Sequence, residues 1–231
     1  MRWFLSYIFS VIVLNSFSQN VYNKVRRNMC EEKAANEIYT VDSCYNNGHH
    51  KDSALFYKSL INLKVGRCQS ARRCARVLKK LYPGFKEIHY LNGLIFFYED
   101  NYGKSVEEFN LAIKEDSTNI NVYYNRSVAL GLINEYLAAI EDLNTCIRLN
   151  PEYTQARYSR AYWYELTGNY TEAVKDYEAA IVLDPKNYDA YLGLANVCKI
   201  QKENAKACEV IGRAIDQGSQ IAVDLKDVFC K

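Results

Sequence analysis

The chain has 231 residues, 49% of them hydrophobic and 24% charged, which excludes a disordered chain and supplies the apolar side chains for a core. Its 29 Lys and Arg against 27 Asp and Glu leave a formal net charge of +2, too small to point to a nucleic acid or an anionic membrane as partner. Twenty Tyr stand against two Trp and nine Phe, an excess that charge does not explain.

At the N-terminus Arg2 precedes an apolar stretch from Trp3 to Leu14, and then come Asn15, Ser16, Phe17, Ser18 and Gln19. Ser16 and Ser18 suit the small-x-small rule of signal cleavage. The apolar stretch is shorter than the roughly 20 residues that span a bilayer. The expectation is a signal peptide over 1–18, no membrane span in the mature chain, and export to a periplasm or beyond the cell, in a bacterium; an uncleaved anchor is the alternative. Residues 19–51 then predict a capping helix or degenerate repeat, with Ala34, Ala35 and Ile38 as its apolar strip.

From there the sequence repeats. Pro83, Pro151 and Pro185 are separated by 68 and 34 residues, and at a period of 34 the chain divides into units at 52–85, 86–119, 120–153, 154–187 and 188–218. The eighth position of each unit is small (Ser59, Gly93, Ser127, Ala161, Ala195), and so is the twentieth (Ala71, Ser105, Ala139, Ala173, Ala207). The twenty-fourth holds Ala75, Phe109, Leu143, Tyr177 and Ile211, and the twenty-seventh Leu78, Ala112, Cys146, Ala180 and Ala214. Small positions let two helices approach, and the larger ones fill the holes between them. Gly168 between the two halves is free to take the positive φ that ends a helix. Each unit therefore predicts a helical hairpin.

This pattern, clearest in Ala161–Pro185, resembles the tetratricopeptide repeat over roughly Asp52–Gly218. The resemblance implies an all-α, right-handed solenoid of about five helix-turn-helix repeats with N- and C-terminal capping helices, acting as a non-enzymatic scaffold for a protein or peptide. Residues 219–231 predict the C-terminal cap, with Ile221, Val223, Leu225, Val228 and Phe229 covering the end of the stack.

All eight cysteines lie beyond the expected cleavage point, and an even number in an exported chain favours disulfides. Eight cysteines permit 105 pairings, so number alone fixes none. The resemblance to exported solenoids implies one pair, Cys208 with Cys230, stapling the cap. Cys146, at a small core position, is expected to be a plain buried thiol. Pairing of Cys30 with Cys44 and of Cys68 with Cys74 stays open, and Cys198 is unassigned.

Candidate chemistry is thin. His49, His50 and His89 belong to no metal-binding motif, and the chain has no HExxH, phosphate-binding glycine loop or CxxC. No catalytic residue, metal or cofactor is assigned. Arg126 and Arg160 each share a unit with an Asp sixteen residues on, Asp142 and Asp176, which predicts partly buried ion pairs within two repeats.

The resemblance implies that the first helix of each hairpin lines a concave groove. That carries partner contacts onto Tyr90, Leu94 and Phe97, then Asn121, Tyr124 and Asn125, then Gln155, Tyr158 and Tyr162. Tyr offers a large ring with a polar tip at low entropic cost, which suits an interface; packing within the repeat uses the same residues. The alternative is a structural subunit of an envelope assembly, touching its partners by its convex face or its caps.

Overall fold

A computed structural model describes residues 51–230 of the chain. The expected signal peptide at 1–18, the N-terminal cap up to residue 50, and Cys30, Cys44, His49 and His50 lie outside the described residues. Within them the chain is all-α: eleven helices and no strand. They are α1 (Lys51–Lys64), α2 (Cys68–Leu81), α3 (Ile88–Tyr98), α4 (Tyr102–Glu115), α5 (Ile120–Leu132), α6 (Tyr136–Leu149), α7 (Thr154–Leu166), α8 (Tyr170–Leu183), α9 (Tyr188–Ile200), α10 (Asn204–Asp216) and α11 (Gln220–Phe229).

Two kinds of turn alternate along the helices, each set by local backbone chemistry. The turn inside a period places one residue in the left-handed region: Gly66, Asp100, Asn134, Gly168 and Lys202, at φ 74°, 57°, 65°, 76° and 64°. Gly, Asn and Asp tolerate that region; Lys202 meets the full Cβ penalty. The turn between periods instead extends the chain at Tyr82, Asp116, Asn150 and Asp184. Three of these precede Pro83, Pro151 and Pro185, where the proline ring disfavours further helix. At the last such position the chain has Gly218 at φ 92°, and Ser219 caps α11 by accepting from the Ala222 N–H at 3.2 Å.

The described chain forms two compact units, one ending at Glu99 and the other starting at Asp100, a division that falls inside the second 34-residue period. In the first, α1, α2 and α3 bury Leu63, Leu78, Leu91 and Ile95. Ser59 and Ala71 are both fully buried, and the Ser59 hydroxyl donates to the Ala71 carbonyl at 2.8 Å, so this small pair is also a hydrogen bond between helices.

The second unit carries α4–α11. Its cores centre on Leu143 and Cys146, and on Tyr177, Leu194, Val197 and Ile211. Ser105, Ala139, Ala173 and Ala207 are wholly inaccessible, as a close helix–helix approach requires. First helices α5, α7 and α9 touch one another in order, and each packs against its own second helix, α6, α8 or α10. This is a helical-repeat solenoid in which first and second helices form two layers.

The terminal helix corrects one expectation. α11 packs on α9 and α10 through Ala222, which is fully buried, and Phe229, whereas Ile221 and Val223 are 53% and 47% exposed. Successive helical residues are about 100° apart, so a helix that buries Ala222 turns its two neighbours toward solvent. Cys230, next to α11, is disulfide-bonded to Cys208 of α10.

Candidate protein-binding face

The expected contact residues fall in both units. Tyr90, Leu94 and Phe97 stand on α3 in the first; Leu94 is only 8% exposed and belongs to that unit's core, so it is withdrawn as a contact residue. Tyr90 and Phe97 remain half-buried. The other six stand on α5 and α7 of the second unit, on the first-helix layer.

There Asn121 and Gln155 are exposed, Tyr162 is 41% exposed, and Tyr124, Asn125 and Tyr158 are half-buried. The Tyr124 hydroxyl lies 3.5 Å from the Ser159 hydroxyl, joining α5 to α7. Asn125 spends one amide hydrogen inside its own helix, donating to the Asn121 carbonyl at 2.8 Å. The Tyr158 ring leans on Tyr177 at 6.0 Å between centroids, and the Tyr162 ring on Trp163 at 5.0 Å. These phenols are thus held in place by packing while presenting part of their surface.

A polar group centred on Glu165 lies on the same helix as Tyr158 and Tyr162. Glu165, near the end of α7, accepts from the Tyr177 hydroxyl at 2.7 Å through Oε2 and from the Asn196 amide of α9 through Oε1. Burial pushes its carboxyl above the ordinary range, against the pull of those two hydrogen bonds. Burial likewise raises the Tyr158, Tyr162 and Tyr177 hydroxyls, and the Glu165 charge raises each further. Asp189 of α9 also bears on Tyr158. One feature of the sequence makes this reach possible: a Cβ at Gly193 would stand 2.4 Å from Cζ of Tyr177.

A tetratricopeptide-repeat family model matches residues 120–153, the α5–α6 hairpin, and a second TPR-repeat model matches 164–201. These residues form tetratricopeptide repeats. Solved structures similar to it in fold include PilF of Pseudomonas aeruginosa, 20% identical, covering 73% of this chain and 77% of that one at a TM-score of 0.66. MamA is 23% identical over 67% of this chain and 91% of its own at 0.62. YrrB, described as a TPR protein with an unusual peptide-binding site, is 18% identical over 81% and 97% at 0.62. No curated protein matches the sequence.

Two ion pairs tie the TPR hairpins of the second unit together. Arg126 Nε donates to Asp142 at 2.8 Å and Arg160 Nε to Asp176 at 2.6 Å, each pair closed by a second bond from Nη2. These are the pairs expected from the sequence, and each has a third member. The remaining nitrogen of each guanidinium donates to an Asn on the preceding second helix, Asn110 at 2.6 Å and Asn144 at 2.7 Å. Those Asn residues are themselves 34 apart, a signal present in the sequence. Burial outweighs Arg126 and holds the Asp142 carboxyl above its usual range, so this network fixes hairpin packing more than it adds net stability.

The thiols have no evident chemistry. Cys146 is fully buried and burial raises it to about 12, so it is inert; Cys198 is fully buried and raised as well. Cys68 and Cys74 are half-exposed and not disulfide-bonded to each other. Among the described residues no group of three or more His, Cys, Asp or Glu is placed to hold a metal ion, and no helix is long and apolar enough to cross a membrane.

Charge is segregated in a way the near-neutral total hides. Residues 51–99 contain ten Lys and Arg against three Asp and Glu, and residues 100–230 thirteen against twenty. Counting over the whole chain missed this because the two excesses cancel; the unit boundary is what reveals it.

Proposed function

We propose that this TPR chain is a non-enzymatic scaffold that binds a protein or peptide along the first-helix face of its second unit, with Tyr124, Tyr158 and Tyr162 as the principal contacts and Asn121, Asn125 and Gln155 around them. The TPR fold supports a protein-interaction role. What carries the specific reading is the row of part-exposed phenols on neighbouring helices α5 and α7, each already ordered by a ring or hydroxyl contact. Ordered aromatic side chains lose little entropy on binding and bury much area. Tyr90 and Phe97 form a separate candidate surface on the first unit. The N-terminal sequence supports export of the chain to a bacterial periplasm or beyond, by way of a cleaved 1–18 segment.

One observation favours the second reading, a structural subunit that docks by its second-helix layer: Leu137 of α6 and Val182 of α8 are 73% and 76% exposed. A pull-down from an envelope fraction decides between them, run with the wild type, a Tyr124→Ala/Tyr158→Ala/Tyr162→Ala variant and a Leu137→Ser/Val182→Ser variant, all first shown to have equal helicity by circular dichroism. Loss of a partner from the tyrosine variant alone supports the first-helix face. Loss from the serine variant alone moves the contact to the second helices.

A further inference from the structure

We infer that the first-helix face of the second unit takes a cationic side chain of its partner, Arg or Lys, against the Glu165 carboxylate and beside the rings of Tyr158 and Tyr162. This rests on the proposal that the partner binds that face, and adds what the face recognises.

Glu165 is a half-buried carboxylate whose two hydrogen-bond donors, Tyr177 and Asn196, are both neutral. No Lys, Arg or His among the described residues forms an ion pair with it, and Lys199, one turn beyond Asn196 on α9, makes none. A carboxylate drawn out of water without a cation is held at a cost, which an incoming guanidinium or ammonium offsets. The hydrogen bonds in place take one site on each oxygen, and a carboxylate offers about four in all. Tyr162, one turn before Glu165 on α7, and Tyr158, whose ring leans on the Tyr177 that donates to Glu165, add ring faces on which a guanidinium stacks. Asp189 brings a second negative charge to the same surface from α9, and the acidic excess of residues 100–230 attracts a basic segment over a longer range. The aromatic face and the uncompensated charge thus specify one ligand chemistry.

The test is fluorescence anisotropy on the full chain with three labelled peptides of equal length, alternating Ser with Arg, with citrulline or with Glu. Citrulline keeps the shape of Arg and removes its charge. The Arg peptide is expected to bind at least about tenfold more tightly than the citrulline peptide at low salt, as one charge-assisted bond provides, and the gap is expected to narrow as salt rises. Glu165→Gln keeps an acceptor for Asn196 and is expected to abolish the preference; Asp189→Asn, on the surface, is expected to reduce it by a few-fold. Equal binding of Arg and citrulline peptides, both lost in Tyr158→Ala/Tyr162→Ala, overturns the cation assignment and leaves the face as the binding site. An Arg preference untouched by all these substitutions overturns both. Absence of any Arg preference in the wild type overturns the inference outright.

Discussion

Gly193 of α9 lacks a side chain where the ring of Tyr177 passes: a Cβ built on it would meet Cζ at 2.4 Å and the hydroxyl oxygen at 2.7 Å. The contact lets a fully buried tyrosine on the second-helix layer extend its hydroxyl to Glu165 on the first-helix layer. Gly193→Ala should therefore cost about 1–3 kcal/mol, the range for overpacking. The cost should shrink in a Tyr177→Leu background, because the shorter side chain vacates the space. Urea denaturation of the four members of that cycle checks it, and strictly additive effects would count against the contact.

Glu165 also sets a pH dependence. Its carboxyl is raised above the ordinary 4.5, so the folded state binds the proton more tightly than the unfolded chain. Stability from this group is complete below 4.5 and is lost as pH rises through the folded value. Glu165→Gln removes that loss. Relative to the wild type the variant is expected to gain stability steadily from about pH 4.5 upward and then hold a constant lead, as read by urea midpoints across a pH series. A lead that falls with rising pH would contradict the assignment. Asp142 is raised too, and its slope should persist in both proteins.

Lys202 occupies the left-handed turn position that Gly66 and Gly168 fill in other periods. A non-glycine residue there bears roughly 1–2 kcal/mol of steric cost, less the extra entropy that glycine loses on folding. Lys202→Gly is expected to stabilise the second unit by about 1 kcal/mol. Gly168→Ala, the converse change, is expected to destabilise it similarly. Thermal unfolding of both variants measures the pair.

The disulfide between Cys208 and Cys230 closes 22 residues of chain around the last turn and α11. On the chain-entropy model a loop of that size contributes about 3 kcal/mol. Reduction, or the Cys208→Ser/Cys230→Ser double variant, is expected to remove that contribution and to speed amide hydrogen exchange first in α11, whose buried contact with the stack is small. Unchanged protection of α11 after reduction would show that Ala222 and Phe229 hold the helix without the staple.

The repeat is legible in the sequence because its signal is made of many weak choices in one register. Small residues at two positions and apolar ones at two others recur at 34, Gly168 marks a turn between the halves, and a helical hairpin is the one local structure that gives each a purpose. The Arg126 and Arg160 pairs were legible for the same reason. Leu94 shows where such reading stops. Its place in the period put it among the groove residues, yet in its own unit that position is sealed, and whether a helix face is open depends on what packs across it. Ile221 and Val223 fail in the same way: hydrophobic composition marked α11 as a cap, but only the docked helix says which apolar side chains face the stack.

The hairpins, their period and the Gly168 turn were readable from the chain alone, since these depend on backbone conformation and on contacts between residues close in the chain. Helix packing, by contrast, sets where the compact units divide, which opposite charges segregate with them, and that Glu165 meets Tyr177 and Asn196 with no cation at hand. Those facts join residues from separate helices, 12 and 31 positions apart for the two Glu165 bonds, and their distances are set by helix packing, which no local pattern encodes.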